Sequence, residues 1–153
     1  MTKTTDIQRK HLRSLALRYL TAIAFGNLLW ETVQLPLYTI WTSGTRGELV
    51  FSVIHCTAGD VMIAAACLGI SALLIGRDAE RVAAIAIPMG IAYTMFSEWL
   101  NVDIRGTWAY APAMPILPIF GTGLAPLAQW VLVPVLSFIW VRRAGRDLRR
   151  PWQ

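Results

Sequence analysis

Four apolar runs, each long enough to cross a bilayer as a helix, take up most of this sequence. About 17–25 predominantly apolar residues make a span, and the runs fall near residues 15–33, 49–75, 82–100 and 124–141. Between the second and third lies only Gly76-Arg77-Asp78-Ala79-Glu80-Arg81, a polar turn opened by a helix-stopping glycine. The other connections are longer and rich in Pro, Gly and Trp. Soluble helices of this length need polar faces, and little is present to build them. Only 15% of the 153 residues are charged and 56% are hydrophobic, against a usual charged share of about 25%. This excludes a disordered chain, a coiled coil and a collagen-like repeat, and two cysteines, Cys56 and Cys67, make no disulfide scaffold. The expected fold is all-α, a single polytopic membrane domain over 1–153 with four transmembrane helices.

Ala22-Ile23-Ala24 has the small residues of a leader-cleavage site. Arg18 breaks the apolar run ahead of it, and the run continues through Trp30, so an uncleaved span is expected. Orientation follows the basic residues that flank spans. The N-terminal segment carries five (Lys3, Arg9, Lys10, Arg13, Arg18), the central turn two (Arg77, Arg81), and the C-terminal segment five (Arg142, Arg143, Arg146, Arg149, Arg150). These twelve of the fourteen share one side of a four-span protein, leaving Arg46 and Arg105 opposite. The tails at 1–13 and 142–153 are therefore expected in the cytoplasm, the host membrane being a bacterial inner membrane. Arg142–Arg150 would attract anionic lipid headgroups at about 1 kcal/mol per residue. The tails lack the aromatic interleaving of a nucleic-acid surface, and no nucleic-acid partner is expected.

Ionisable side chains inside spans are costly, about 2.5–3.5 kcal/mol for Asp at a helix centre on insertion scales. Four stand out: Glu31, His55, Asp60 and Glu98. Glu31 and Glu98 lie near the outer ends of their helices. Counting from the outer start of the second helix, His55 and Asp60 lie roughly 9 and 16 Å inward at ~1.5 Å per residue. Asn27, Glu31 and Gln34 recur at i, i+4, i+7, and so do Thr94, Glu98 and Asn101, each set on one helix face. Trp30, Tyr93, Trp99 and Gln129 belong to the same level. Beyond the third helix, Asp103 and Arg105 are placed to pair. The apolar but proline-broken run at 114–120 is no helix, and irregular backbone at membrane depth must be covered by protein or line a wet cavity. It reads as a partly re-entrant loop capping the cluster before the fourth helix. Acids on this side outnumber fixed cations, so a proton, a bound cation or Arg105 must balance them.

The plainer interpretation is that these groups hydrogen-bond across helices and hold the bundle together, at about 0.6 kcal/mol per bond. Uncharged residues would do that more cheaply, which favours function for Glu31, His55, Asp60 and Glu98. As catalytic acids and bases they suit isomerase- or cyclase-like chemistry on a lipid or isoprenoid, which needs one group to give a proton and another to remove one. Asn27, Trp30, Gln34, Tyr93, Trp99, Asn101, Asp103, Arg105 and Gln129 would line the substrate. The first alternative is cation handling through the same N/O ligands. No His-x3-His or Cys-x2-Cys spacing assigns a metal, no cofactor is specified, and four helices would have to form a homo-oligomer to transport. Gly59, Ala65, Ala66 and Gly69, together with Ala83, Ala84 and Ala86 at the start of the third helix, are the small residues offered for close packing. The second alternative is an accessory or scaffold subunit using Trp41, Trp108 and Tyr110 as outer anchors.

Overall fold

The computed structural model describes residues 3–147 apart from 77, 119 and 120. Outside its connections it is helical. Helix α1 spans Lys3–Gln34, α2 is a single turn at Ile40–Ser43, α3 spans Arg46–Ile75, α4 spans Ala79–Glu98, and α5 spans Leu124–Asp147. A 3-10 turn, Leu35–Leu37, follows α1, and a π-helical segment, Trp99–Ile104, extends α4.

Local chemistry sets most of these ends. Pro36 removes a backbone donor, so α1 stops at Gln34 and the chain tightens into the 3-10 turn. The second long helix begins at Arg46, earlier than its apolar run suggests, because Thr45 and Glu48 form a reciprocal capping box. The Thr45 N–H donates to Glu48 Oε2 at 2.7 Å, and the Glu48 N–H donates to Thr45 Oγ1 at 3.3 Å. Gly76, at φ 84°, ends α3 in a conformation open to glycine. Two residues on, the Asp78 carboxylate accepts from the Arg81 N–H at 2.9 Å and starts α4.

Helix α1 packs on α3 and α5, and α4 packs on α3 and α5, closing a four-helix ring. Its apolar centre is Ile23, Ala64, Trp130 and Val133. Two glycines permit the closest approaches. A Cβ on Gly26 would stand 2.7 Å from Val133, and one on Gly90 would stand 2.1 Å from the Trp130 ring. Gly59 and Gly69, expected to pack closely, have nothing within 4 Å, and Ala65 and Ala66 are exposed. The inward face of α3 is instead Asp60, Ala64, Cys67 and Ser71, at i, i+4, i+7, i+11.

The partition of side chains identifies the surroundings. Asn27, Glu31, Gln34, Thr94, Glu98 and Gln129 are buried, while Phe25, Val33, Phe51, Met62, Leu73 and Leu136 are more than 60% exposed. Water would punish that arrangement and hydrocarbon favours it. Three helices are long and apolar enough to cross a membrane: Arg46–Ile75, Ala79–Ile104 and Leu124–Ala144. Helix α1 is not among them, its sequence being diluted by basic residues up to Arg18 and by Asn27, Glu31 and Gln34.

The two ends of the bundle differ in character. At one, Arg142 of α5 pairs with Glu80 of α4 at 2.6 Å. At the other, the connection after α1 meets the connection before α5. Thr39 N–H donates to the Ala109 carbonyl and Ala111 N–H to the Leu37 carbonyl, both at 2.9 Å.

Candidate functional site

A chain of hydrogen bonds crosses the second end of the bundle, and a donor-only group anchors it. The Trp30 indole N–H donates to Gln34 Oε1 at 3.0 Å, which turns Gln34 Nε2 toward Gln129 Oε1 at 3.2 Å. An indole cannot accept, so it fixes the Gln34 amide, and Gln34 in turn fixes the Gln129 amide. Gln129 Nε2 then faces three acceptors: Asn27 Oδ1 at 3.2 Å, Glu31 Oε1 at 2.9 Å and Asp60 Oδ2 at 2.8 Å. Gln129 is 2% exposed. Its amide nitrogen carries two hydrogens for three oxygens, so one hydrogen is shared or one carboxyl brings its own.

The convergence follows from helix phase. Asn27, Glu31 and Gln34 present one face of α1 as their spacing predicts, Asp60 looks in from α3, and Gln129 completes the set from α5. Trp130, the next residue, fills the space against Gly90 and also lies beside the Asp60 carboxyl. Among the described residues no Lys, Arg or His forms an ion pair with Glu31, Asp60 or Glu98, and the two α1 and α3 carboxyls neighbour each other.

Glu98 stands beside this network with a partner of its own. The Tyr110 hydroxyl donates to Glu98 Oε2 in a very short hydrogen bond and accepts from the Gly123 N–H at 3.0 Å. Tyr38 packs on Tyr110 with ring centroids 5.6 Å apart. Burial pushes the Tyr110 hydroxyl above the ordinary phenol range, and its bond to Glu98 pushes the same way. Burial likewise raises Tyr38, with the Glu98 charge adding to it. Trp108 buries its indole N–H beside the Glu98 carboxyl. Tyr110, expected as an interfacial anchor, is thus a component of the polar site.

The segment between Tyr110 and α5 folds back on itself. Leu124 N–H donates to the Pro115 carbonyl at 2.7 Å and Leu117 N–H to the Thr122 carbonyl at 2.8 Å, burying Met114 and Thr122. Gly121, at φ 64°, makes the reversal. The Gly123–Tyr110 bond ties the end of this loop to the Tyr110–Glu98 pair.

Several expected members do not join. His55 is exposed and stacks on Phe51, centroids 5.4 Å apart. It precedes Asp60 by five residues, about 140° around a helix, so it points outward when Asp60 points inward. Tyr93 has the same five-residue offset from Glu98 and is 48% exposed, and Trp99, one position on, is 46% exposed. Asn101 donates back to the Ser97 carbonyl at 2.8 Å, because the π-helical segment shifts the phase that would have aligned it with Glu98. Asp103 and Arg105 are exposed and form no ion pair among the described residues. No group of three His, Cys, Asp or Glu among the described residues is placed to hold a metal ion.

The chain matches no known family model, no curated protein and no solved structure, so the site speaks through its own chemistry.

Proposed function

We propose that this is a four-span inner-membrane protein whose polar site performs acid–base chemistry on a lipid or isoprenoid substrate, isomerase- or cyclase-like. The observation that carries the reading is the meeting of Glu31 and Asp60 at one amide nitrogen, Gln129 Nε2, with no cationic side chain paired to either. Two carboxyls so close in an apolar bundle are most simply satisfied by one proton between them. One then gives a proton and the other receives one, the pairing that isomerisation requires. Trp30 and Gln34 are positioning residues that hold the Gln129 hydrogens on the carboxyls. Glu98 with Tyr110 is a second proton-holding pair, and the 111–123 segment is a partly re-entrant cap over both.

Deuterium incorporation tests the reading. Purified protein in nanodiscs, incubated with a native polar-lipid extract in D2O, is expected to place deuterium at carbon in one lipid species. Asp60→Asn and Glu31→Gln should lose that label. The cation alternative keeps one specific support, the same uncompensated pair, but two carboxyls without His55 are a poor divalent site. If no lipid carbon is labelled while a pH jump still produces a carboxyl infrared change that both variants abolish, the protein handles protons and is not a lipid enzyme.

A further inference from the structure

The opposite end of the bundle carries a second site that owes nothing to the acid–base reading. A groove of about 420 Å³ runs between the first half of α1 and the last part of α5. Lys10, Arg13 and Arg18 of α1 line it together with Ser14, and among the described residues no acidic side chain does. Leu17 and Trp140 complete the wall, 66% and 53% exposed. Arg13, Ser14, Leu17 and Arg18 follow helical spacing, so cations and an apolar side chain share one stripe of α1. Among the described residues Arg13 and Arg18 have no ion-pair partner, while the nearby Arg142 is already engaged by Glu80.

We infer that this groove holds the headgroup of an anionic phospholipid. Charge complementarity supplies the first half of the argument. Two arginines without acidic partners, on one helix stripe, offer forked donors to a phosphodiester, a geometry that guanidinium groups match and single ammonium groups do not. A hydroxyl from Ser14 is at hand for a glycerol or phosphate oxygen. The apolar wall supplies the second half. A free phosphate would have no use for Leu17 and Trp140, whereas a lipid lays the start of an acyl chain along them. Tryptophan at headgroup depth, with cations beside it, is the arrangement membrane interfaces select. The groove lies at the end of the bundle where α1 begins and α5 finishes, so the lipid staples the two chain ends together.

Native mass spectrometry of the full-length protein, released from detergent micelles doped with equal phosphatidylglycerol and phosphatidylcholine, tests this. The expected result is selective retention of phosphatidylglycerol. Arg13→Gln with Arg18→Gln should lower that retention about tenfold or more, since each basic residue near a lipid surface contributes a factor of roughly five. Arg46→Gln, the same single charge change as Arg13→Gln but outside the groove, should leave it unaltered. Arg13→Gln alone, on an exposed side chain, gives a smaller loss and keeps the test informative should the double variant not fold. Equal retention of the two lipids overturns the proposal, as does an effect of Arg46→Gln as large as that of the double variant. Displacement by excess soluble glycerol phosphate would show a phosphate-ester site rather than a lipid site, and overturns it too.

Discussion

At the scale of single residues, the buried network is an ordered series of donors in which direction matters. Trp30 can only donate, and that one-way property propagates through Gln34 to leave the Gln129 hydrogens on the carboxyls. Gln129→Met, similar in volume, strands Glu31, Asp60 and the Gln34 amide at once. It is expected to cost about 2 kcal/mol or more, because a buried polar group left without a partner costs ~1–3 kcal/mol. Trp30→Phe removes a single bond and should cost about 1 kcal/mol. Thermal unfolding in detergent ranks the two, and a Gln129 variant as stable as the Trp30 variant would contradict the ordering. Tyr110 gives the pH counterpart. Its folded-state value is raised, so the neutral phenol is favoured by folding. The stability it contributes is complete below the unfolded value of ~10 and declines as pH climbs beyond it. Subtracting the ultraviolet titration of Tyr110→Phe from that of the parent should isolate a phenolate that forms only above ~10. A Tyr110 phenolate at or below that pH would mean that neither its burial nor its bond to Glu98 holds in solution.

At the scale of elements, legibility depended on whether sequence fixes helix phase. On α1 it does, because polar residues at 27, 31 and 34 are few and evenly spaced, and all three face Gln129 or its neighbours. On α3 the apolar residues surround the helix almost uniformly, so smallness at Gly59 and Gly69 did not say which side was in. Asp60 alone carried the phase, and five residues back from it His55 had to face out. The Glu98–Tyr110 contact was hidden for a different reason: eleven residues of π-helix and loop separate the partners, and no periodicity spans such a connection. The Thr45-x-x-Glu48 capping box, by contrast, is a plain sequence signal that moves the start of α3. Close packing is testable through the glycines. Gly90→Ala drives a methyl into the Trp130 ring and should cost about 1–3 kcal/mol by overpacking. Gly59→Ala meets nothing and should be neutral or stabilising by up to ~1 kcal/mol through helix propensity. Melting temperatures in the opposite order would place the inward face of α3 elsewhere.

At the scale of the whole molecule, the two ends of the bundle constrain the number of crossings. Three helices qualify as spans on length and composition, and three crossings would put the termini on opposite sides. Yet Lys10 and Arg13 of α1 line the same groove as Trp140 of α5, and Arg142 binds Glu80 at the start of α4. The beginning of α1, the α3–α4 turn and the finish of α5 therefore share one end. On the proposed four-span reading α1 crosses with α3, α4 and α5, carrying Glu31 and Asn27, which Gln129 receives inside the ring. A helix too polar to enter lipid alone becomes admissible when its polar stripe is covered by its neighbours. The proposed orientation puts the basic end inward. Reporter fusions that are active only in the cytoplasm are expected to work at both termini, and one placed in the connection around residue 44 should be silent. A working reporter at one terminus and a silent one at the other would reduce the count to three and move α1 onto the membrane surface, where its carboxyl could not reach Gln129.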